Sequence, residues 1–199
     1  MPAAPGKIRI IGGHLRNSRI DVPERPGLRP TPERVRETLF NWLAAWIDGA
    51  RVLDLFAGTG ALGLEALSRG AREAVFCERD PALAAALRAN LVRLRQDGHA
   101  RVVADDASAA LAGLSGTFDV VFLDPPFGAD LWSAVAAQLE ARGLLGAQSL
   151  IYLEAPREAA PALPPDWILH KQTRAGDVQA TLYRRDAALA KLGRFGSQP

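Results

Sequence analysis

A single cysteine, Cys77, stands among 199 residues, so no disulfide can form within the chain. It falls in the apolar stretch Ala74-Val75-Phe76-Cys77, which marks it as a core side chain. Histidine is also scarce. Three are scattered along the chain without metal-ligand spacing, so the expectation is chemistry without a metal. No run of eighteen apolar residues is present, and Met1 to Lys7 lacks the apolar centre of a signal peptide, which together predict a cytoplasmic protein. No internal repeat is apparent.

What the chain does contain is ordinary in bulk and uneven in detail. Hydrophobic residues make up 48% and charged residues 23%, the balance of a soluble globular protein, and the length suits one medium domain. The net charge of +2 hides an asymmetry. Residues 1–36 hold eight basic side chains against three acidic ones, leaving that segment at +5 and the rest at −3. A basic arm on a mildly acidic body points to a phosphate backbone as the arm's partner; its plain rival is a solubilising extension. Within the arm, Ile8, Ile10 and Leu15 to Val22 flank Gly12-Gly13, as in a hairpin. Thr31 is placed to N-cap a helix with Pro32 at its first position and Glu33 near its positive end. Val35, Leu39, Trp42, Leu43, Trp46 and Ile47 follow at helical spacing, with both tryptophans read as core, and Asp48-Gly49 ends the helix.

Beyond this helix the chain alternates. The pattern predicts strands near 51–56, 73–78, 101–104, 118–123 and 148–153, with helices near 61–69, 81–97, 106–114 and 129–142. Such alternation means a parallel sheet. Trp167 to Thr173 and Val178 to Arg185 add a final antiparallel pair around Gly176-Asp177. The expected organisation is a basic arm over 1–30, a catalytic domain over 31–186 and a weakly ordered basic tail over 187–199.

The first strand, Arg51 to Phe56, runs into Ala57-Gly58-Thr59-Gly60-Ala61-Leu62-Gly63 and then a helix, a nucleotide-binding start. Gly58, Gly60 and Gly63 also fit the dinucleotide pattern, so the loop alone does not separate a nicotinamide cofactor from S-adenosylmethionine. Asp54, near the strand's end, suits a ligand carrying an ammonium group, or else caps the loop. Glu78, eighteen residues after Gly60, is placed for ribose hydroxyls. Asp106 is the choice for an adenine amine, although Asp105 or Asp106 could equally cap the next helix. Asp54, Glu78, Asp106 and Asp124 fall at four separate strand ends, where open parallel sheets bind ligands.

The strand Phe118 to Leu123 ends in Asp124-Pro125-Pro126-Phe127. A carboxylate and a backbone carbonyl can accept the two hydrogens of a planar amine, a ring can stack on the base that carries it, and the prolines stiffen the loop. The alternative is a turn that merely ends the strand.

The order and spacing of these elements resemble class I S-adenosylmethionine-dependent methyltransferases that modify amino groups. The segments Arg9 to Gly13 and Leu28 to Leu43, with Gly60 to Arg69 and Leu150 to Glu154, resemble more closely the bacterial 16S rRNA guanine-N2 methyltransferase family called RsmD. Resemblance runs from about Lys7 to Tyr183. One departure stands at Asp106, where the family also carries Asn; both accept a hydrogen bond from adenine.

This resemblance implies a Rossmann-like α/β fold with a mostly parallel seven-stranded sheet, helices on both faces and a small N-terminal hairpin and helix extension. It implies S-adenosylmethionine held by Asp54, Phe56, Gly58, Gly60, Glu78, Asp106, Ala107 and Asp124, and catalysis at Asp124, Pro125, Pro126 and Phe127. Arg9, Arg16, Arg29, Arg34 and Arg36 become the expected RNA contacts. The partner would be 16S rRNA, within the small subunit or an assembly intermediate, and nothing in the sequence requires more than a monomer. A DNA amino-methyltransferase, a nicotinamide dehydrogenase and a non-catalytic RNA-binding factor stay open as alternatives.

Overall fold

The computed structural model describes residues 6–23, 31–126 and 131–188. Two short strands, β1 (Gly6–Arg9) and β2 (Arg19–Val22), pair antiparallel as the predicted hairpin. There follow α1 (Glu33–Trp42), β3 (Arg51–Asp54), α2 (Ala61–Ser68), β4 (Glu73–Cys77) and α3 (Pro81–Arg93). Next come β5 (Ala100–Val103), α4 (Ala107–Gly113), β6 (Phe118–Leu123) and α5 (Trp132–Ala141). The chain then adds β7 (Leu145–Pro156), β8 (Trp167–Ala175) and β9 (Val178–Arg185).

Strands β3 to β9 form one sheet in the order β5-β4-β3-β6-β7-β9-β8. All pairs from β5 to β7 are parallel, and β9 enters antiparallel between β7 and β8. The order reverses between β3 and β6, which opens a crevice at their carboxyl ends.

Each central strand is buried on both faces, and its side chains divide by alternation. Val52, Val120, Phe122, Leu150 and Tyr152 pack with α1, α2, α3 and the hairpin. Leu53, Val75, Val121, Leu123 and Ile151 pack on the opposite face with α4 and α5. Each fully buried Val, Leu or Phe contributes roughly 1.5–3 kcal/mol relative to exposure, so these two layers hold the strand ends in register.

The hairpin is docked on the first layer, with Ile10 and Ile20 fully buried there. Its loop meets the C-terminal end of α2: His14 donates its backbone N–H to the Ser68 carbonyl at 2.8 Å, and Leu15 N–H donates to Ser68 Oγ at 3.0 Å. Approach is so close that a Cβ on Gly13, at φ +75°, would stand 1.7 Å from the Ser68 carbonyl oxygen. Only glycine fits that contact.

Local expectations fail in four places. Helix α1 begins one residue late, with Pro32 in the cap position and no side-chain cap bond, so Thr31 is not its N-cap. The Thr31 side chain turns into the interior instead, as described below. The helix also ends at Trp42 in a series of turns, which leaves Trp46 37% exposed while Trp42 packs against the core edge. Helix α3 stops at Arg93 rather than near 97: Arg95 takes φ +57° and Gln96 N–H donates to the Leu91 carbonyl at 2.8 Å, a Schellman-type stop built without glycine. Strand β7 is longer than the predicted 148–153, since a register shift between Phe118 and Val120 lets it pair from Leu145. The basic tail from 189 onward and the start of the helix expected at 129 lie outside the described residues.

Candidate active site

A cleft of about 1110 Å³ opens over the carboxyl ends of β3, β4, β5 and β6. Asp54, Glu78, Asp106 and Asp124 all line it, as do Phe56, Gly58, Ala107, Pro125 and Pro126. The sheet topology therefore gathers almost every expected cofactor residue into one place. Gly60 is the exception, because it stands behind the cleft wall. At φ +76° it turns the loop, and a Cβ there would meet Leu87 Cδ1 at 2.4 Å, so its task is the close approach of loop and α3.

Asp54 is 3% exposed, and its Oδ2 accepts from Gly63 N–H at 3.0 Å in the first turn of α2. Burial pushes its carboxyl up to about 7; the Gly63 bond opposes the rise and the Glu78 charge adds to it. The loop-capping role is real, yet the group keeps one oxygen and has no Lys or Arg beside it among the described residues. A carboxylate so placed gains most from a cationic ligand group. Glu78 is tied at both oxygens, accepting from Gly58 N–H at 2.8 Å and Asp80 N–H at 2.7 Å. Each oxygen retains a second lone pair for a hydroxyl donor. Asp80 in turn caps α3, accepting from Ala82 and Leu83, with Pro81 in the first turn.

Asp106 is exposed and caps α4, accepting from Ala109 N–H at 3.0 Å, while Asp105 accepts from Asp106 N–H at 2.9 Å. Both border the cleft, and the cap bond to Ala109 uses one of the two Asp106 carboxylate oxygens. Cys77 also reaches the cleft wall but is buried, and burial first, then the Asp54 charge, pushes its thiol up to about 12. It offers no thiolate.

Asp124 carries a neighbourhood that the motifs did not announce. Glu154, 5% exposed, approaches it from β7 and accepts from Tyr152 Oη at 2.7 Å. Trp132 Nε1 donates to the Glu154 carbonyl at 2.8 Å and fixes that strand from α5. Thr31 is buried and lines the cleft together with Asp124. Desolvation, followed by the Glu154 and Asp54 charges, raises the Asp124 carboxyl well above the usual range. The signal for Glu154 was present, since it too is an acid near the end of an apolar strand. Thr31 gave none, because its position reads as a helix cap. Phe127, the expected stacking ring, lies outside the described residues.

Of the five expected RNA contacts, Arg36 is corrected. It is 2% exposed, donates from Nη2 to the Arg9 carbonyl at 3.0 Å and lies 3.7 Å from Glu65, and burial pulls its guanidinium down from its ordinary value. Fully buried Glu65 also accepts from Ile11 N–H and Gly12 N–H at 2.8 Å and from Arg69 Nε at 2.7 Å. Arg36 therefore belongs to an internal lock between hairpin and α2, with no path to a phosphate. Arg9, Arg16 and Arg34 are exposed, and Arg9 pairs with Glu33. Arg29 lies outside the described residues.

The family described as Conserved hypothetical protein 95 matches residues 8–184. Ribosomal RNA small subunit methyltransferase D of Escherichia coli (strain K12) is 49% identical over 92% of this chain and 92% of its own length. The Haemophilus influenzae protein of the same name is 39% identical, covering 92% and 96%. The solved structure of Escherichia coli yhhF superposes with a TM-score of 0.85 at 46% identity, over 92% of this chain and 99% of that one. Sequence over nearly the whole length and fold agree: this is a methyltransferase chain that belongs to the RsmD family, the family of the ribosomal RNA small subunit methyltransferase D proteins.

Proposed function

We propose that this chain methylates the exocyclic N2 amine of one guanine in 16S rRNA of the small ribosomal subunit, with S-adenosylmethionine as donor. The observation that carries this reading is the convergence of Asp54, Glu78, Asp106 and the Asp124-Pro125-Pro126 loop on one cleft. The names of the 49% and 39% identical relatives support the small-subunit RNA as substrate.

The side chains present fit the donor. Asp54, buried and without a cationic partner among the described residues, suits its ammonium group; Glu78 suits the ribose hydroxyls; Asp106 suits the adenine amine, with Phe56, Gly58 and Ala107 along the wall. When bound, S-adenosylmethionine supplies an electrophilic methyl group on a sulfonium. The protein's own work is on the acceptor. The lone pair of guanine N2 is delocalised into the ring and is a weak nucleophile. Asp124 and the Pro125 carbonyl accept its two N–H hydrogens and favour a pyramidal nitrogen, and Phe127 stacks on the base. Holding the nitrogen in line lowers the barrier by roughly 7–11 kcal/mol in favourable intramolecular cases. Because the amine must enter the cleft, the guanine is unpaired or flipped. Arg9, Arg16, Arg29 and Arg34, on the arm over residues 1–30 and at the start of α1, meet the phosphates. The working form is a cytoplasmic monomer acting on the small subunit or its assembly intermediate.

Methyl transfer from labelled donor to unmethylated small subunits, followed by nucleoside analysis, tests this. N2-methylguanosine from the wild type and none from Asp124→Ala is the expected result. Label on another nucleoside, on DNA alone or on nothing overturns it.

A further inference from the structure

The N-terminal hairpin has two faces. Ile8 and Ile20 stand opposite each other on the inner one, so alternation puts Lys7 and Arg9 of β1 and Arg19 and Asp21 of β2 on the outer one. Lys7 faces Asp21 across the ladder, a complementary pair whose charges stand 3.7 Å apart. The next outward pair breaks that pattern. Arg9 faces Arg19, two like charges on Cβ atoms about 4.5–5.5 Å apart, an arrangement that destabilises a bare hairpin. Glu33 pairs with Arg9, and no acid pairs with Arg19 among the described residues.

A third guanidinium reaches the same place from outside the arm. Arg93, in the last turn of α3, donates from Nη2 to the Arg19 carbonyl and, at 2.7 Å, to Asn90 Oδ1, and it lies 3.7 Å from the Asp21 carboxylate. Asn90 is 3% exposed and clamps β2, accepting from Asp21 N–H at 3.2 Å and donating to the Asp21 carbonyl at 3.1 Å. Arg93 is thus fixed by one nitrogen, while its Nε and Nη1 hydrogens make no hydrogen bond among the described residues. The C-terminal end of α3 favours a cation, which accounts for Arg93 but not for Arg19 beside it. Lys7, Arg9, Arg19 and Arg93 share only Asp21 and Glu33 as counter-charges. Folding gains nothing from such a surplus, whereas a polyanion does.

We propose that Arg19 and Arg93, together with Arg9, form a binding site for phosphates of the RNA backbone on the outer face of the hairpin. This deepens the proposed function and rests on it for the identity of the RNA. A phosphate there accepts from the uncommitted Arg19 and Arg93 donors and relieves the repulsion between Arg9 and Arg19. Helix α3 leaves the cleft near Asp80 and Leu83 and carries Arg93 at its other end, so the site stands roughly 18 Å from the cleft along the helix. That separation gives it a part in holding the substrate and none in the transfer at N2. The RNA must therefore extend several nucleotides beyond the target guanine to reach it.

The test is filter binding across ionic strengths to unmethylated small subunits and to naked 16S rRNA, alongside KM and kcat for methyl transfer to the subunits. It is run on the wild type, Arg19→Ala, Asp21→Asn and Arg174→Ala. Arg19→Ala reduces the slope of log affinity against log salt by about 1 on both substrates, and the loss in turnover appears in KM rather than kcat. Its Tm holds or rises, because the repulsion with Arg9 is gone. Asp21→Asn withdraws a competing carboxylate and tightens binding at low salt. Opposite shifts from two neighbouring variants are not what a loosened hairpin gives. Arg174 is an exposed arginine on β8, at the sheet edge opposite β5, and its removal serves as the charge control, with no change expected. An unchanged slope in Arg19→Ala, or an equal loss in Arg174→Ala, overturns the proposal. Weaker binding to subunits with unchanged binding to naked RNA also overturns it and makes an acidic protein surface the partner. A reduced slope together with a product other than N2-methylguanosine leaves the phosphate site standing and removes the guanine reading instead.

Discussion

The two sides of the cleft hold their functional groups by different means. On the cofactor side each acid is anchored by backbone N–H groups at most 20 residues away in sequence: Asp54 by Gly63, Glu78 by Gly58 and Asp80, Asp106 by Ala109. On the acceptor side the anchors are side chains from distant segments. Glu154, bonded by Tyr152, lies beside Asp124 from β7, and Glu65, Arg36 and Ser68 fasten the hairpin. Loop and helix-start geometry builds the first side locally. The second exists only once the hairpin, α1 and β7 have met.

The contrast is sharpest at Glu65. Glu65→Ala leaves the Arg36 guanidinium buried without its counter-charge and frees Ile11 and Gly12 N–H, so a loss of about 3–5 kcal/mol in denaturant unfolding is expected. Combining it with Arg36→Met should recover much of that loss, because the uncompensated charge is gone. A cost below about 1 kcal/mol for the single variant would mean that the hairpin is held without this lock.

Asp54→Asn probes the opposite side. The amide oxygen can still accept from Gly63, so the loop survives while the charge is lost. A carboxyl raised from 3.8 to about 7 is fully stabilising below its unfolded value, and that contribution is lost as pH rises through the folded one. The wild type without cofactor therefore gives up as much as about 4 kcal/mol between pH 4 and pH 8. Asparagine does not titrate, so the Tm advantage of the variant grows toward pH 8 and closes toward pH 4, while calorimetry shows weaker cofactor binding. A pH-independent difference in Tm would show that Asp54 ionises normally.

Smaller effects follow at the surface. Asp106→Ala removes the α4 cap, for about 1 kcal/mol of stability, and Asp106→Asn keeps it. Equal cofactor affinity in the alanine variant would move the adenine contact to Asp105. Arg16→Ala should leave stability unchanged and reduce the salt dependence of RNA binding by a slope of about 1, measured by filter binding across ionic strengths. No change would take Arg16 off the phosphate path.

Legibility follows the same division. The strands carry continuous Val, Leu, Ile and Phe runs, which state their own burial, and the glycine loop and strand-end acids announce the cofactor side. Stops without a glycine signal, such as Arg95, were not visible, nor was the exposure of Trp46 or the turn of Thr31 into the interior. Arg36 shows why charge counting reaches only so far. In sequence it is one more basic residue of the arm, and only the packing of the hairpin on α1 and α2 distinguishes it from Arg16 and Arg34.

The sequence by itself determined the alternating sheet, the family and the residues that line the cleft, because apolar periodicity and turn chemistry act over a few residues. The tertiary structure alone decided that Arg36 and Thr31 are internal and that Glu154 stands beside Asp124. Those assignments depend on which distant surfaces exclude water together, and burial of that kind is written in no local pattern.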